Sequence, residues 1–261
     1  MSRTRPLISV VTVVWNNLPG LLHTVESLSQ QTYPEIEHIV VDGDSNDGTK
    51  DWLKKYSPNY QMVSVSEEDE GLYDAMNKGV RMASGDLVVF LNSDDTFSSP
   101  SVLSTVASDW SSGDWQWGYG AIRNLDLNRD VRNGYVHAPF SLVKFKLGLR
   151  FVPHPATFMS RTLLLELGGF KAEYGSSADQ ELLMRAALKS KPRVWVEFFS
   201  DFVLGGMSTA NSGASFFGRF RQIRRDNGIV LFDCSGIDLL FTTGQKVLYN
   251  LRLVVSRLVK R

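Results

Sequence analysis

Two adjacent carboxylates, Asp94 and Asp95, close an apolar run that reads Phe90-Leu91-Asn92-Ser93-Asp94-Asp95-Thr96. Neighbouring anions at a strand end repel one another unless a cation sits beside them. A divalent metal carrying a phosphorylated ligand is one explanation; a polar turn in which one Asp caps the next helix is the other. A third carboxylate, Asp42, ends an earlier apolar run, Ile36 to Val41.

The elements that must position these acids follow from periodicity. Leu7 to Trp15 is a β-branched apolar run bounded by Pro6 and Asn16-Asn17, and reads as a strand buried on both faces. Leu21, Leu22, Val25 and Leu28 then recur at helical spacing, and Pro34 follows them. Asp47-Gly48-Thr49 opens a short amphipathic segment with Trp52 and Leu53 on one side and lysines on the other. Met62 to Val65 alternates as a third strand, Leu72 to Ala83 traces a helical stripe, and Leu87 to Leu91 returns as a strand. Four strands alternating with three helices predict parallel βαβ units, which bind ligands at the carboxyl ends of their strands. Asp42 and the Asp94-Asp95 pair both stand at such ends.

Three segments in this order, Val40 to Thr49 (VVDGDSNDGT), Glu68 to Gly79 (EDEGLYDAMNKG) and Phe90 to Asp95 (FLNSDD), resemble family 2 glycosyltransferases of the GT-A fold. The likeness continues through Phe151 to Phe158 (FVPHPATF) and Ser176 to Arg185 (SSADQELLMR). It implies an α/β chain with a Rossmann-like, mostly parallel central sheet flanked by helices, and a C-terminal helical tail. The implied division is a glycosyltransferase domain over 1–215, with a nucleotide-binding half (1–98) and an acceptor-binding half (99–215), then a basic amphipathic tail over 216–261. Within the family the chain is similar to bacterial exopolysaccharide and lipopolysaccharide sugar transferases.

The resemblance also assigns roles. Asp95 is expected to ligate Mn²⁺ or Mg²⁺, with Asp94 holding the ribose or sharing the ion. Val14, Asn16 and Asp42 are expected at the nucleotide base, although Gly43 stands where many members carry a second Asp. Asp69, Asp74 and Asn77 are expected beside the nucleotide-sugar; yet Asp74 and Lys78 also have the spacing of an ordinary surface ion pair. Gly71 eases the turn into that helix. His154, between Pro153 and Pro155, is held extended and becomes a candidate ligand of metal or diphosphate, against the alternative of a structural histidine. Asp179 is the expected general base of an inverting transfer. It shares a helix face with Leu182, Leu183 and Ala186, and as a first-turn acid capped from Ser176 it also has a purely structural explanation. Glu181 points elsewhere and pairs with Arg185 in the pattern of a surface bridge.

Composition bounds the rest. With 261 residues, 43% of them apolar, the chain can bury a sizeable core. Cys234, its one cysteine, cannot form an internal disulfide, which suits a reducing cytosol. Neither a signal-peptide pattern nor an apolar run of spanning length is expected. Formal charge is zero overall, but Phe217 to Arg261 carries nine basic and three acidic residues. There Val247, Leu248, Leu251, Val254, Val255, Leu258 and Val259 form a stripe interleaved with Lys and Arg, as in an interfacial helix on an anionic membrane; a helix on the enzyme's own core, or a dimer contact, gives the same pattern.

Trp110, Trp115, Trp117 and Tyr119 fit either a sugar-stacking surface or a core. Asn124 to Asn133 reads as a hairpin or mobile loop over the acceptor cleft, and Gly205 to Ser208 as a flexible loop near the diphosphate. A dinucleotide-binding G-x-G-x-x-G after the first strand is missing, and Gln222-Ile223-Arg224-Arg225-Asp226 lacks the Trp of the processive Q-x-x-R-W motif. The expectation is therefore a non-processive transferase, cytoplasmic and peripheral on the inner face of the cell membrane. Its partners are a UDP- or GDP-sugar and a saccharide or lipid-linked acceptor, with no nucleic acid. The alternative is a degenerate nucleotide-binding scaffold of an assembly complex.

Overall fold

The structure, a computed structural model, describes residues 5–205 and 214–259. Its first half alternates strand and helix as the apolar pattern requires. Strands β1 (Ile8–Val14) and β2 (Ile36–Asp42) are buried along their whole length, which is why neither alternates with polar residues. The next strand, β3 (Gln61–Ser66), is an edge and mostly exposed, hence its weaker pattern. Helix α1 (Leu18–Ser29) starts at Asn17, whose side chain accepts a hydrogen bond from Gly20 N, with Pro19 in the first turn. Helix α2 (Thr49–Lys55) leads to β3, and α3 (Leu72–Met82) leaves Gly71, whose φ of 112° suits glycine alone. Strands β3, β2, β1 and β4 (Leu87–Phe90) pair in parallel in that order, with Val14 opposite Asp42 and Val11 opposite Phe90. Their carboxyl ends therefore share one edge.

The second half departs from the mostly parallel sheet expected. After β5 (Thr96–Phe97) and α4 (Val102–Ser112) come β6 (Trp117–Leu125), β7 (Val131–Tyr135), α5 (Leu142–Lys146), β8 (Thr157–Ser160), α6 (Arg161–Glu166), α7 (Ala178–Lys189) and β9 (Arg193–Val203). Strand β8 inserts antiparallel between β4 and β6; β7 and β5 are antiparallel to β6 and β9, and only β6 and β9 run parallel. Parallel pairing thus dominates the first half, and in the second only β6 with β9 keeps it. The reason is local: a single 3₁₀ turn, His154–Ala156, feeds β8 from the edge where β4 ends, so the strand can only run backwards. That reversal delivers His154 to the strand ends.

Helix α8 (Ala214–Asp226) begins before the boundary expected at 216, and its Phe220 and Ile223 are buried in the main core with Phe145 and Leu182. Helix α9 (Ser235–Val259) packs on it. Of the aromatic cluster, Trp117 and Tyr119 are fully buried, while Trp110, Trp115 and Trp195 pack edge to face beside Asp109, which accepts from both Trp115 Nε1 (3.0 Å) and Trp195 Nε1 (3.2 Å). The core alternative holds for these rings. Gly206 to Ser208 lie outside the described residues. Among the described residues no helix is long and apolar enough to cross a membrane.

Candidate active site

The first carboxylate site is built by the loops after β1 and β2. Asp42 is fully buried and accepts from Ser45 Oγ (2.5 Å), Ser45 N (3.3 Å) and Ser66 Oγ (2.5 Å). Asn16, at φ 49°, accepts from Asn46 N (2.9 Å) and donates its own N–H to Ser45 Oγ (2.7 Å). Asp47 accepts from Leu18 N (2.8 Å) and Thr49 Oγ1 (2.7 Å), so the two loops are bolted together. Trp15 stands over them with 67% of its surface exposed. A Cβ at Gly43 would lie 2.7 Å from Asp69 Oδ2 and 3.3 Å from Trp15 Cδ1. Glycine here lets Asp69 and Trp15 close over the strand end, which accounts for the missing second Asp.

The second site is the Asp94-Asp95 pair. Thr24 Oγ1 holds the turn, donating to the carbonyls of Asp95 (2.9 Å) and Asn92 (3.1 Å) and accepting from Asp94 N (3.1 Å). Asp94 adopts φ 82°, and its carboxylate meets Arg129 Nη1 (2.8 Å) and His23 Nδ1 (3.1 Å). Asp95 is buried. Burial holds its carboxyl well above the usual carboxylate range; the Val203 backbone N–H opposes this and the neighbouring Asp94 charge adds to it. The Arg129 guanidinium nearby also opposes the rise.

Sequence reasoning missed Arg129 and His23. Arg129 projects from the β6–β7 turn, which Asp126 organises by accepting from Asn128 N (2.9 Å) and Asp130 N (3.0 Å). Of the hairpin or mobile loop expected there, the hairpin is what forms, and its Arg129 reaches Asp94. Asn92 Oδ1, two residues before Asp94, is buried without a hydrogen-bond partner among the described residues.

His154 is not brought to the acids as a third metal ligand. Its ring stacks on Phe90 (centroids 5.3 Å apart) and meets Phe170 edge-on (5.5 Å), and aromatic packing fixes it there. Burial pushes its imidazole down, the Asp179 charge opposes this, and Nε2 is buried without a hydrogen-bond partner among the described residues. No group of three His, Cys, Asp or Glu side chains suited to a metal occurs among the described residues.

Asp179, half-buried, accepts from Gln180 N (2.7 Å) and Gln180 Nε2 (3.1 Å), and its charge acts on both His154 and Tyr73. Gln180 is itself pinned to Val152 through N (3.1 Å) and O (2.9 Å). The capping residue is Ser177 rather than Ser176, and its Oγ accepts from Arg219 Nε (2.9 Å) instead of from the helix.

Glu181 forms the expected pair with Arg185 (2.6 Å), but not at the surface: Glu181 is fully buried, and Arg185 also donates to the carbonyls of Leu167 and Gly169. That bridge holds the Leu167 to Gly169 loop against α7. Asp74 and Lys78 do pair (3.5 Å), and Lys78 also reaches Glu67 (3.1 Å). Both ends of the Asn77 amide are spent on Phe170, donating to its O (2.8 Å) and accepting from its N (2.9 Å). Asn77 thus fixes the loop that carries Phe170 to His154.

Against known proteins, the family model described as "Glycosyl transferase family 2" matches residues 9–165. The chain belongs to that family. This glycosyltransferase is 39% identical over 222 residues to an uncharacterized glycosyltransferase of Mycobacterium tuberculosis strain H37Rv, covering 84% of this chain and 83% of the relative. Its fold is shared with S. aureus TarS solved with UDP-GlcNAc (TM-score 0.65, 21% identity), over 83% of this chain and 65% of that one. The mannosyltransferase PcManGT from Pyrobaculum calidifontis, solved with GDP-Man and Mn²⁺, is also similar (TM-score 0.55, 22% identity, 84% and 61% covered). The fold is therefore the GT-A arrangement, with both acid sites at its strand ends.

Proposed function

We propose that this glycosyltransferase moves one sugar per encounter, with inversion, from a UDP- or GDP-sugar to a hydroxyl of a saccharide or lipid-linked acceptor in surface polysaccharide assembly. The work is placed in the cytoplasm, at the inner face of the cell membrane. Carrying this reading is the buried Asp95 carboxyl beside Asp94 just beyond the end of β4, two adjacent acids in a fold that binds at that edge. Relatives of the same fold were solved with UDP-GlcNAc and with GDP-Man and Mn²⁺.

In this mechanism Val14, Asn16 and the Asp42 loop form the base pocket, with the exposed Trp15 ring as its wall. Asp69, above Gly43, and Asp74 line the way to the sugar. Asp95 and Asp94 are the residues that would hold Mn²⁺ or Mg²⁺, which supplies charge neutralisation to the departing diphosphate. Arg129, already on Asp94, adds positive charge on the same side, and the His23 ring stands beside it. Asp179 takes the acceptor hydroxyl's proton on a carboxylate oxygen as that hydroxyl attacks the anomeric carbon. His154 Nε2, without a hydrogen-bond partner among the described residues, is free to hydrogen-bond a hydroxyl or phosphate oxygen beside Asp179.

Calorimetric titration with UDP and GDP, with and without Mn²⁺, tests the donor site. Transfer from a panel of nucleotide-sugars, with the product's anomeric configuration read by NMR, tests the chemistry. Binding indifferent to metal overturns the cation's role, and retained configuration overturns that of Asp179.

A further inference from the structure

Helix α9 packs with its polar side inward. Among its described side chains Asp238, Thr242 and Gln245 are the buried ones, spaced along one face. Arg224, itself fully buried, donates to Asp238 (2.6 Å), Thr242 Oγ1 (2.9 Å) and the Lys146 carbonyl (3.0 Å), and Gln245 Nε2 donates to the Leu147 carbonyl (2.9 Å). Arg221 adds a second cation to Asp238 at 3.3 Å. The outward side carries Ile237, Leu239, Leu240, Val247, Leu248 and Leu251, all exposed, with Leu240 at 75%. Leu239 aside, these recur at three-, four- and seven-residue intervals, so they form a single stripe along the helix. At the turn between α8 and α9, Phe232 is 85% exposed.

A surface helix in water normally turns this pattern round. Here a buried ion pair and its hydrogen bonds hold the helix with its leucines outward, which dedicates that face to an apolar partner. Helical spacing puts Lys246 and Arg252 on opposite borders of the stripe, and the segment from Phe217 onward carries six more basic than acidic residues. An apolar stripe edged by cations on both sides is complementary to a surface that is apolar below and anionic above. A second copy of the chain laid symmetrically on the same face would set like charges against each other.

We infer that the outward face of α9 is a docking surface for an anionic lipid bilayer, with the helix in the membrane plane and Phe232 inserted beside it. This deepens the peripheral-membrane part of the proposed function, and its test is independent of sugar transfer. The full chain is sedimented with phosphatidylcholine vesicles, with and without phosphatidylglycerol, against the triple variant Leu240→Gln, Leu248→Gln, Leu251→Gln. All three positions are exposed, so an unchanged melting temperature and unchanged UDP titration confirm that the variant is folded. The expected result is binding that depends on phosphatidylglycerol, weakens in half-molar salt, and falls tenfold or more in the triple variant and in Lys246→Glu with Arg252→Glu. Failure of the full chain to bind anionic vesicles overturns the inference. So does a dimer, seen by light scattering, that the triple variant abolishes while vesicle binding persists. Neither result alters the donor-site titration.

Discussion

Asp42 and Asp95 are both buried carboxylates at the ends of parallel strands, yet their surroundings are opposite. Asp42 collects donors from Ser45 and Ser66, so its charge is satisfied by hydroxyls and one backbone N–H. Asp95 takes one backbone N–H from Val203 and lies beside another anion, and burial lifts its carboxyl well above the usual range. A satisfied acid is scaffolding: Asp42 fixes the Ser45 loop, which in turn fixes Asn16. An unsatisfied one is poised to be completed from outside. The same division recurs on α7, where Glu181 is locked by the Arg185 guanidinium and Asp179, two residues earlier, takes its side-chain hydrogen bonds from the neutral Gln180.

The sharpest way to break the first contrast is Asp95→Ala. If Asp95 holds the cation, Mn²⁺-dependent nucleotide binding is expected to become undetectable by calorimetry while the fold persists. Normal, metal-independent affinity in the variant would remove the distinction between the two strand-end acids.

The second contrast is tested on α7. Asp179→Asn keeps the side chain's shape but cannot accept the acceptor's proton, so turnover is expected to fall by roughly a hundredfold or more with little change in donor affinity. Glu181→Gln, in contrast, leaves Arg185 without its buried counter-charge and is expected to lose about 3 kcal/mol of stability, read by chemical denaturation. Equal turnover losses with equal stability would show that the two acids are not divided as the structure indicates.

The first four strands were legible because each is an apolar run bounded by turn residues, and both acid sites because charge ends those runs. What stayed hidden depends on partners remote in sequence. The antiparallel β8 is four residues long, and its register sets Ser160 against Leu87. Glu181 and Arg185 have the spacing of a surface pair, but the carbonyls of Leu167 and Gly169 and the side chain of Asn227 are what enclose them. On α9 the periodicity showed a stripe, and only the Arg224 pairing shows which side faces out. Arg129 lay in a turn read as polar, 35 residues from the carboxylate it meets.

Arg129 supplies the next and smaller effect. Its guanidinium occupies the Asp94 carboxylate that is also offered to the cation, so the two compete in the absence of nucleotide. Arg129→Ala is expected to tighten Mn²⁺ binding by a few-fold, roughly 1 kcal/mol at a half-buried pair. With a nucleotide diphosphate present the gain should disappear or reverse, because the same guanidinium then faces phosphate. Unchanged metal affinity in both states would make the Asp94–Arg129 bridge purely structural.

The smallest effect isolates Asp95 from catalysis altogether. Because burial raises its carboxyl above the unfolded value, the folded chain binds the proton more tightly, and metal-free stability falls as pH rises from the ordinary carboxylate range through the raised value. Above the raised value the wild-type chain carries the full penalty, and below the ordinary carboxylate range it carries none. Asp95→Asn retains an oxygen for the Val203 N–H and removes the charge. It is therefore expected to stabilise the metal-free protein at neutral pH by about 1 kcal/mol, about 2–4 °C in Tm, with the gain vanishing as the pH is lowered. Adding Mn²⁺ should raise the wild-type Tm and leave the variant where it was. A destabilised Asp95→Asn at neutral pH would mean that the carboxylate is as well satisfied as that of Asp42, and the contrast between the two strand ends would fail.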